Sequence, residues 1–140
     1  MTAPAAQFPY VPRDPSLAKA SLAPMLPLTL IGHQRLTTSG LVDSGAAINV
    51  LPFNLGVQLG FDWDQQTNVV ELSGNLAAVE ARVVVVSAVV EKFAPVRLAF
   101  AWAKTDSVSV ILGQVNFFLE FDVCFFRSRA LFEVRPKQAP

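Results

Sequence analysis

The segment Leu41-Val42-Asp43-Ser44-Gly45-Ala46-Ala47-Ile48-Asn49-Val50-Leu51 places a carboxylate between two apolar runs. Such runs draw a segment inward, and an unpaired charge is costly to bury. Asp43 must therefore be paired, protonated, or held where a perturbed proton affinity is useful. Gly45 permits a sharp turn directly after the acid and lets backbone N–H groups approach it. The Ser44 hydroxyl can donate and accept, so it can tie the loop to a neighbour. Asp-Ser-Gly is also an ordinary turn tripeptide. At average composition, Asp-(Ser/Thr)-Gly arises by chance in roughly one in fifteen chains of this length. The apolar frame, with Ala46-Ala47 directly after the turn, carries more information than the tripeptide.

A chain of 140 residues suits one domain, or one domain with a tail, and can bury a core without staples. Its single cysteine, Cys124, excludes an internal disulfide and fits a reducing compartment. Eleven basic residues balance eleven acidic ones with no basic stripe, which argues against nucleic-acid binding. Only 16% of residues are charged while 52% are hydrophobic, so either the core is generous or part of the surface is covered by another chain. The longest apolar run, Val83 to Val90 broken by Ser87, is far below the ~20 residues of a membrane span. No charged segment leads into an apolar one at the N-terminus, so no signal peptide is evident and the expected location is cytoplasmic.

Residues 1–24 hold five prolines and read as an extended arm with at most one short strand near Phe8–Val11. The arm is either a loose tail or an element packed on a partner or on its own barrel. Residues 25–136 form the expected domain and 137–140 a tail. Leu26–Ile31 and Gln34–Val42 read as strands around a Gly32-His33 turn. His33, the only histidine, has no second ligand at metal spacing and reads as an exposed loop residue. Pro52 and Gly60 bracket a short helix, which Gly56 weakens. Phe61–Gln66 reads as a loop, with Asp62 and Asp64 as solvated turn residues.

Thr67–Leu72 and Leu76–Glu91 read as a hairpin around Ser73-Gly74-Asn75. Val96–Trp102 and Val108–Leu112 are further strands, with Trp102 a core or rim aromatic. Gln114–Glu120 allows one or two helical turns. Asp122–Phe126 and Ala130–Arg135 form a last hairpin that Pro136 ends. The sum is all-β with one or two short helices, a small barrel or sandwich.

Few groups are available for chemistry. His33 has no partners for a Ser-His-Asp set. Cys124, between Val123 and Phe125, reads as a buried structural thiol. No phosphate-binding glycine loop, metal-ligand cluster or cofactor motif is present. Asp43 remains. One carboxylate is a poor hydrolase, but two that are close together share one proton, so that one activates water while the other donates to a carbonyl. A two-fold homodimer with residue 43 near its axis supplies the second copy.

Leu41-Val42-Asp43-Ser44-Gly45-Ala46 resembles the Asp-Thr/Ser-Gly-Ala signature of retropepsin-like aspartic proteases. Ile111-Leu112-Gly113 is similar to their second landmark, two apolar residues and a glycine about seventy residues on. The order between the landmarks, a short helix, a flap-like hairpin and further strands, also matches, and the resemblance covers roughly residues 25 to 136. It implies a small closed β-barrel and a homodimeric endopeptidase acting on peptides or proteins without a cofactor. Asp43 would be the catalytic acid of each subunit. Ser44 would bond across the dimer axis, and Gly45 and Ala46 would shape the loop. Ile111, Leu112 and Gly113 would pack behind it, and the tip from Leu72 through Ser73, Gly74, Asn75 and Leu76 to Ala77 would be the substrate-covering flap. Retroviral members carry an acid where Ala47 stands and an Arg where Gln114 stands, so the ion pair that those two residues form there is replaced as a unit. A non-catalytic dimerisation or peptide-binding module of the same fold is the alternative. A structural assembly protein using the proline arm and the last hairpin is a third.

Overall fold

In the computed structural model, residues 4–14, 16–17 and 21–138 are described. The chain runs through β1 (Ala6–Pro9), β2 (Val11–Pro12), β3 (Leu22–Ala23), β4 (Met25–Ile31), β5 (Arg35–Val42), β6 (Asn49–Leu51), α1 (Phe53–Gln58) and β7 (Val69–Val70). It continues through β8 (Ala81–Val89), β9 (Val96–Ala103), β10 (Ile111–Leu112), α2 (Phe117–Glu120), β11 (Phe121–Phe126) and β12 (Leu131–Pro136).

Six strands close into a barrel in the order β4-β5-β10-β6-β9-β8, with β8 pairing back to β4 and β7 outside on β8. Closure removes most sheet edges. The strands form where apolar residues alternate. Leu26, Leu28 and Leu30 of β4 and Val84, Val86 and Ala88 of β8 point inward, as the two-residue period requires. Pro27 lacks an N–H, and it lies in the half of β4 that pairs only with β5. The unusual member is β10. It runs parallel to β5 and antiparallel to β6, and so lies between two strands that precede it by about sixty to seventy residues.

The main core joins the barrel interior to a three-stranded sheet, β1-β12-β11, through Leu30, Leu112, Phe117, Phe121 and Phe132. Each such side chain contributes about 1.5–3 kcal/mol on burial. Trp102 is a core residue. Its indole stacks on Phe53 at 5.3 Å and donates to the Phe53 carbonyl at 2.9 Å, while Trp63 meets it edge-on at 5.2 Å. A Cβ on Gly56 would occupy that indole, so the glycine that weakens α1 also lets α1 sit against the ring. A smaller cluster, Val50, Leu72, Ala81, Ala101 and Ala103, lies under β7.

Four expectations change. The arm contains two strands before residue 13: β1 pairs with β12, and β2 pairs with β3. Phe61–Gln66 contains a 3-10 turn at Trp63–Gln65, with the Asp62 carboxylate accepting from the Asp64 N–H at 3.0 Å. The hairpin over residues 67–91 is shorter than its pattern implies: β7 has two residues, β8 starts at Ala81, and a 3-10 turn at Gly74–Leu76 replaces the tight turn. Cys124 is exposed rather than buried. In β11 the inward row is Phe121, Val123 and Phe125, and Cys124 falls on the opposite face by simple alternation. His33 is an exposed turn residue set edge-on to Phe61.

Candidate active site

Asp43 lies at the C-terminal end of β5, where buried Val42 anchors the strand and Gly45 lets it reverse. The Asp43 N–H donates to the Leu112 carbonyl at 3.0 Å, which fixes the residue to β10. Its Oδ1 accepts from the Gly45 N–H at 2.9 Å, and its carbonyl accepts from the Ala46 N–H at 3.1 Å. The carboxylate is half-buried, oriented by backbone, and makes no ion pair among the described residues.

The loop is clamped from the far side by residues 112–116. Gln114 N–H donates to the Ala46 carbonyl and Val115 N–H to the Ala47 carbonyl, both at 2.9 Å, and Asn49 N–H returns to the Val115 carbonyl at 3.0 Å. Gly113 is wedged in this contact. A Cβ there would lie 2.5 Å from the Ile48 carbonyl oxygen and 2.8 Å from that of Ala46, so only glycine fits without moving the loop. The Gln114 side chain donates to the Ser44 carbonyl at 2.8 Å. A neutral amide thus braces this loop, and the exposed Ala47 side chain takes no part.

Asn49 and Asn116 were not singled out from the sequence. Asn49 is 0% exposed, the one buried polar residue of the described core. Its Oδ1 accepts from the Gly113 N–H at 2.8 Å, and its Nδ2 donates to the Ala99 carbonyl at 3.0 Å and to Asn116 Oδ1 at 3.1 Å. Asn116 Oδ1 also accepts from the Ala99 N–H at 3.0 Å, and its Nδ2 donates to the Arg97 carbonyl at 2.8 Å. Every side-chain polar atom of the pair is satisfied, so the network fixes a geometry instead of straining the core. The available signal was a lone polar residue inside Ile48-Asn49-Val50-Leu51.

Beside the loop is a cleft of about 470 Å³. Gly45, Ala46, Ala47, Ile48, Val50 and Ile111 line one wall, and residues 70–73 and Leu76 the other. A smaller recess of about 140 Å³ shares Ile48 and Val70. Of the expected site residues, Asp43, Ser44, Gly45, Ala46, Ile111, Leu112 and Gly113 are thus brought together. Leu72, Ser73 and Leu76 line the facing wall, with Leu72 buried beneath it. Gly74 and Asn75 are exposed beyond the cleft lining. No group of three or more His, Cys, Asp or Glu that could hold a metal occurs among the described residues.

Among solved structures, a retropepsin-like aspartic protease from Rickettsia conorii superposes with a TM-score of 0.63 at 13% identity, over 99% of this chain and 98% of that one. EIAV protease, solved in complex with the inhibitor HBY-793, gives a TM-score of 0.50 at 19% identity, over 69% of this chain and 86% of that one. No family model and no curated protein matches the sequence. The chain has a retropepsin-like fold. No helix among the described residues is long and apolar enough to cross a membrane.

Proposed function

We propose that the chain is an aspartic endopeptidase whose catalytic unit is a homodimer, with one Asp43 from each subunit. The observation that carries this reading is the clamped Asp43 loop at the edge of an apolar cleft, on a fold shared with aspartic proteases. Two such carboxylates facing one another hold a single proton between them. The ionised one removes a proton from water as the water oxygen attacks the peptide carbonyl. The protonated one donates to the carbonyl oxygen, giving a neutral tetrahedral diol. Collapse of the diol, with proton transfer to the amide nitrogen, cleaves the C–N bond and returns the dyad to its starting state. Ser44, exposed beside Asp43, is the group that reaches across the two-fold axis, and residues 72–76 act as the flap that excludes water.

Support for a second chain comes from the last sheet. β11 has a strand on one side only among the described residues. Across one row of that sheet, Phe8 and Phe132 are 6% and 0% exposed, but Phe125 at the open edge is 40% exposed. Such an unfinished apolar row beside an unpaired ladder is a surface that another strand can complete.

The test is Asp43→Asn, which keeps the side-chain shape and the Gly45 hydrogen bond. Peptide cleavage is expected to fall by about a hundred- to ten-thousandfold with the melting temperature little changed. Cleavage that survives this substitution refutes the reading. A non-catalytic peptide-binding module predicts no cleavage by the unaltered chain and peptide affinity independent of Asp43. Activity is expected to favour mildly acidic pH and to fall as the second carboxylate ionises.

A further inference from the structure

The barrel leaves a gap along one edge of β8. β4 ends at Ile31, opposite Ser87, and β7 pairs only with Ala81 and Arg82. The Val83 N–H turns toward that edge and donates to the Asn68 carbonyl at 2.8 Å. Backbone direction alternates along a strand, so the Val85 N–H faces the same edge, where no strand pairs with it. An open pocket of about 250 Å³ lies over this gap, lined by Ile31, Val85, Ser87 and Arg97 from the strands. Ser87 is opposite both Ile31 and Arg97, so the three side chains share the outer face of the sheet. The turn residue His33 and the Phe61 ring close one end.

Among the described residues no acid lines this pocket. The Ser87 hydroxyl, the His33 ring and the Arg97 guanidinium have no hydrogen-bond or ionic partner among those residues. Arg35 extends the same row on β5, opposite Ile31, and is likewise without an ion pair. A guanidinium, a hydroxyl, an imidazole and a backbone amide thus border one space, and all four can donate. A fixed positive charge with further donors around it suits a negatively charged oxygen. We propose that this pocket binds an oxyanion, a carboxylate or phosphate group, through Arg97, Ser87 and the Val85 amide. The site is separate from Asp43 and does not depend on the reading of the cleft.

Two sources of such an anion are distinguishable. One is a free small anion. The other, on the proposed reading of the cleft, is an acidic residue of a peptide lying there. A strip of small and apolar residues joins the two places. Val83, Ala99 and Ala101 line the recess that shares Ile48 and Val70 with the cleft. On the same face Val85 lies opposite Ala99, and Ser87 opposite Arg97. The Val83 and Ser87 rows are about 14 Å apart along the strand, a span that about four to five extended residues cross.

The first test needs no protease activity. Isotope-labelled full chain is titrated with inorganic phosphate at constant ionic strength and followed by NMR. The Val85 and Ser87 amides and the Arg97 side-chain N–H should shift together and saturate, with the Ala46 amide unmoved. Arg97→Gln should weaken binding about three- to tenfold, Arg97→Lys less, and Ser87→Ala about twofold. Asn116 holds the backbone carbonyl of Arg97, so these side-chain changes leave that bond in place and the melting temperature should hold. Shifts that never saturate, or an affinity unchanged in Arg97→Gln, overturn the site.

The second test identifies the source. Asp43→Asn protein binds a capped Leu-Phe peptide, extended at both ends by about five Gly and Ser residues and then Glu or Gln. Binding of the Glu peptide that is about two- to fivefold tighter, abolished by Arg97→Gln and competed by phosphate, assigns the anion to the peptide. Equal affinity of the two peptides, with saturable phosphate binding, sustains the site with a free anion as its ligand. Failure of both peptides to bind counts against the peptide reading of the cleft and leaves the phosphate titration to decide the site.

Discussion

The two walls of the cleft are built differently. The wall that carries Asp43 is tied into the barrel by backbone bonds to Leu112, Gln114 and Val115, and by the Asn49 amide behind Gly113. The facing wall is a two-residue strand and a 3-10 turn, held by bonds of 3.3 Å from Leu76 and 3.2 Å from Ala77. Its main anchor is Leu72 and the partly buried Val70, Leu76 and Val79 on the small cluster. The cleft thus has one rigid wall, which holds the carboxylate in place, and one yielding wall.

Two glycines sharpen that contrast. Gly113→Ala drives a methyl into two backbone carbonyls that cannot move separately, and about 3 kcal/mol of stability should be lost, read by urea unfolding, together with peptide cleavage. Asn49→Leu keeps the volume but leaves the Gly113 N–H and the Ala99 carbonyl unpaired, at a cost of about 2 kcal/mol. At Gly74 a Cβ meets nothing within 4 Å, and only the positive φ of 63° opposes alanine. Gly74→Ala should cost about 1 kcal/mol, and equal losses at Gly74 and Gly113 would erase the distinction between the walls. Hydrogen exchange offers the same comparison without substitution: the Asp43, Asn49 and Gly113 amides should exchange far more slowly than those of Leu76 and Ala77.

The smallest effect lies away from both walls. The Asp14 carboxyl is held below the ordinary carboxylate range by hydrogen bonds from the Ser16 hydroxyl and amide. A lowered folded value means that its contribution is present above the unfolded pKa and is lost as pH falls through the folded one. An NMR titration should place the Asp14 midpoint below that of Asp14 in the Ser16→Ala variant.

Much of the rigid wall was legible in the sequence. Asp43, Ser44 and Gly45 stand within one short motif, and Ile111-Leu112-Gly113 identifies its backing, because both depend on local residue types. The clamp joining them was not legible. Asn49 reaches Asn116 across 67 residues, and no local pattern marks such a pair. Gln114 stands where the resemblance implies an arginine, yet its bond to the Ser44 carbonyl depends on a loop seventy residues away. Cys124 was misread because apolar neighbours in sequence are not neighbours on one face of a strand. The yielding wall was misread in shape because an apolar run such as Leu76–Glu91 does not mark where pairing begins; only the partner strand does.

The position of β10 also sets a timetable. Leu41 pairs with Ile111, and Ala6 with Val134, so β5 waits for β10 and β1 for β12. On the ribosome, Asp43 emerges long before residues 111–115 exist, and until then nothing closes its loop from behind. A nascent or truncated chain ending short of Ile111 therefore carries the acid without the scaffold that aims it. The geometry of the Asp43 loop is thus complete only once the strand between β5 and β6 is in place, a pairing that spans about seventy residues.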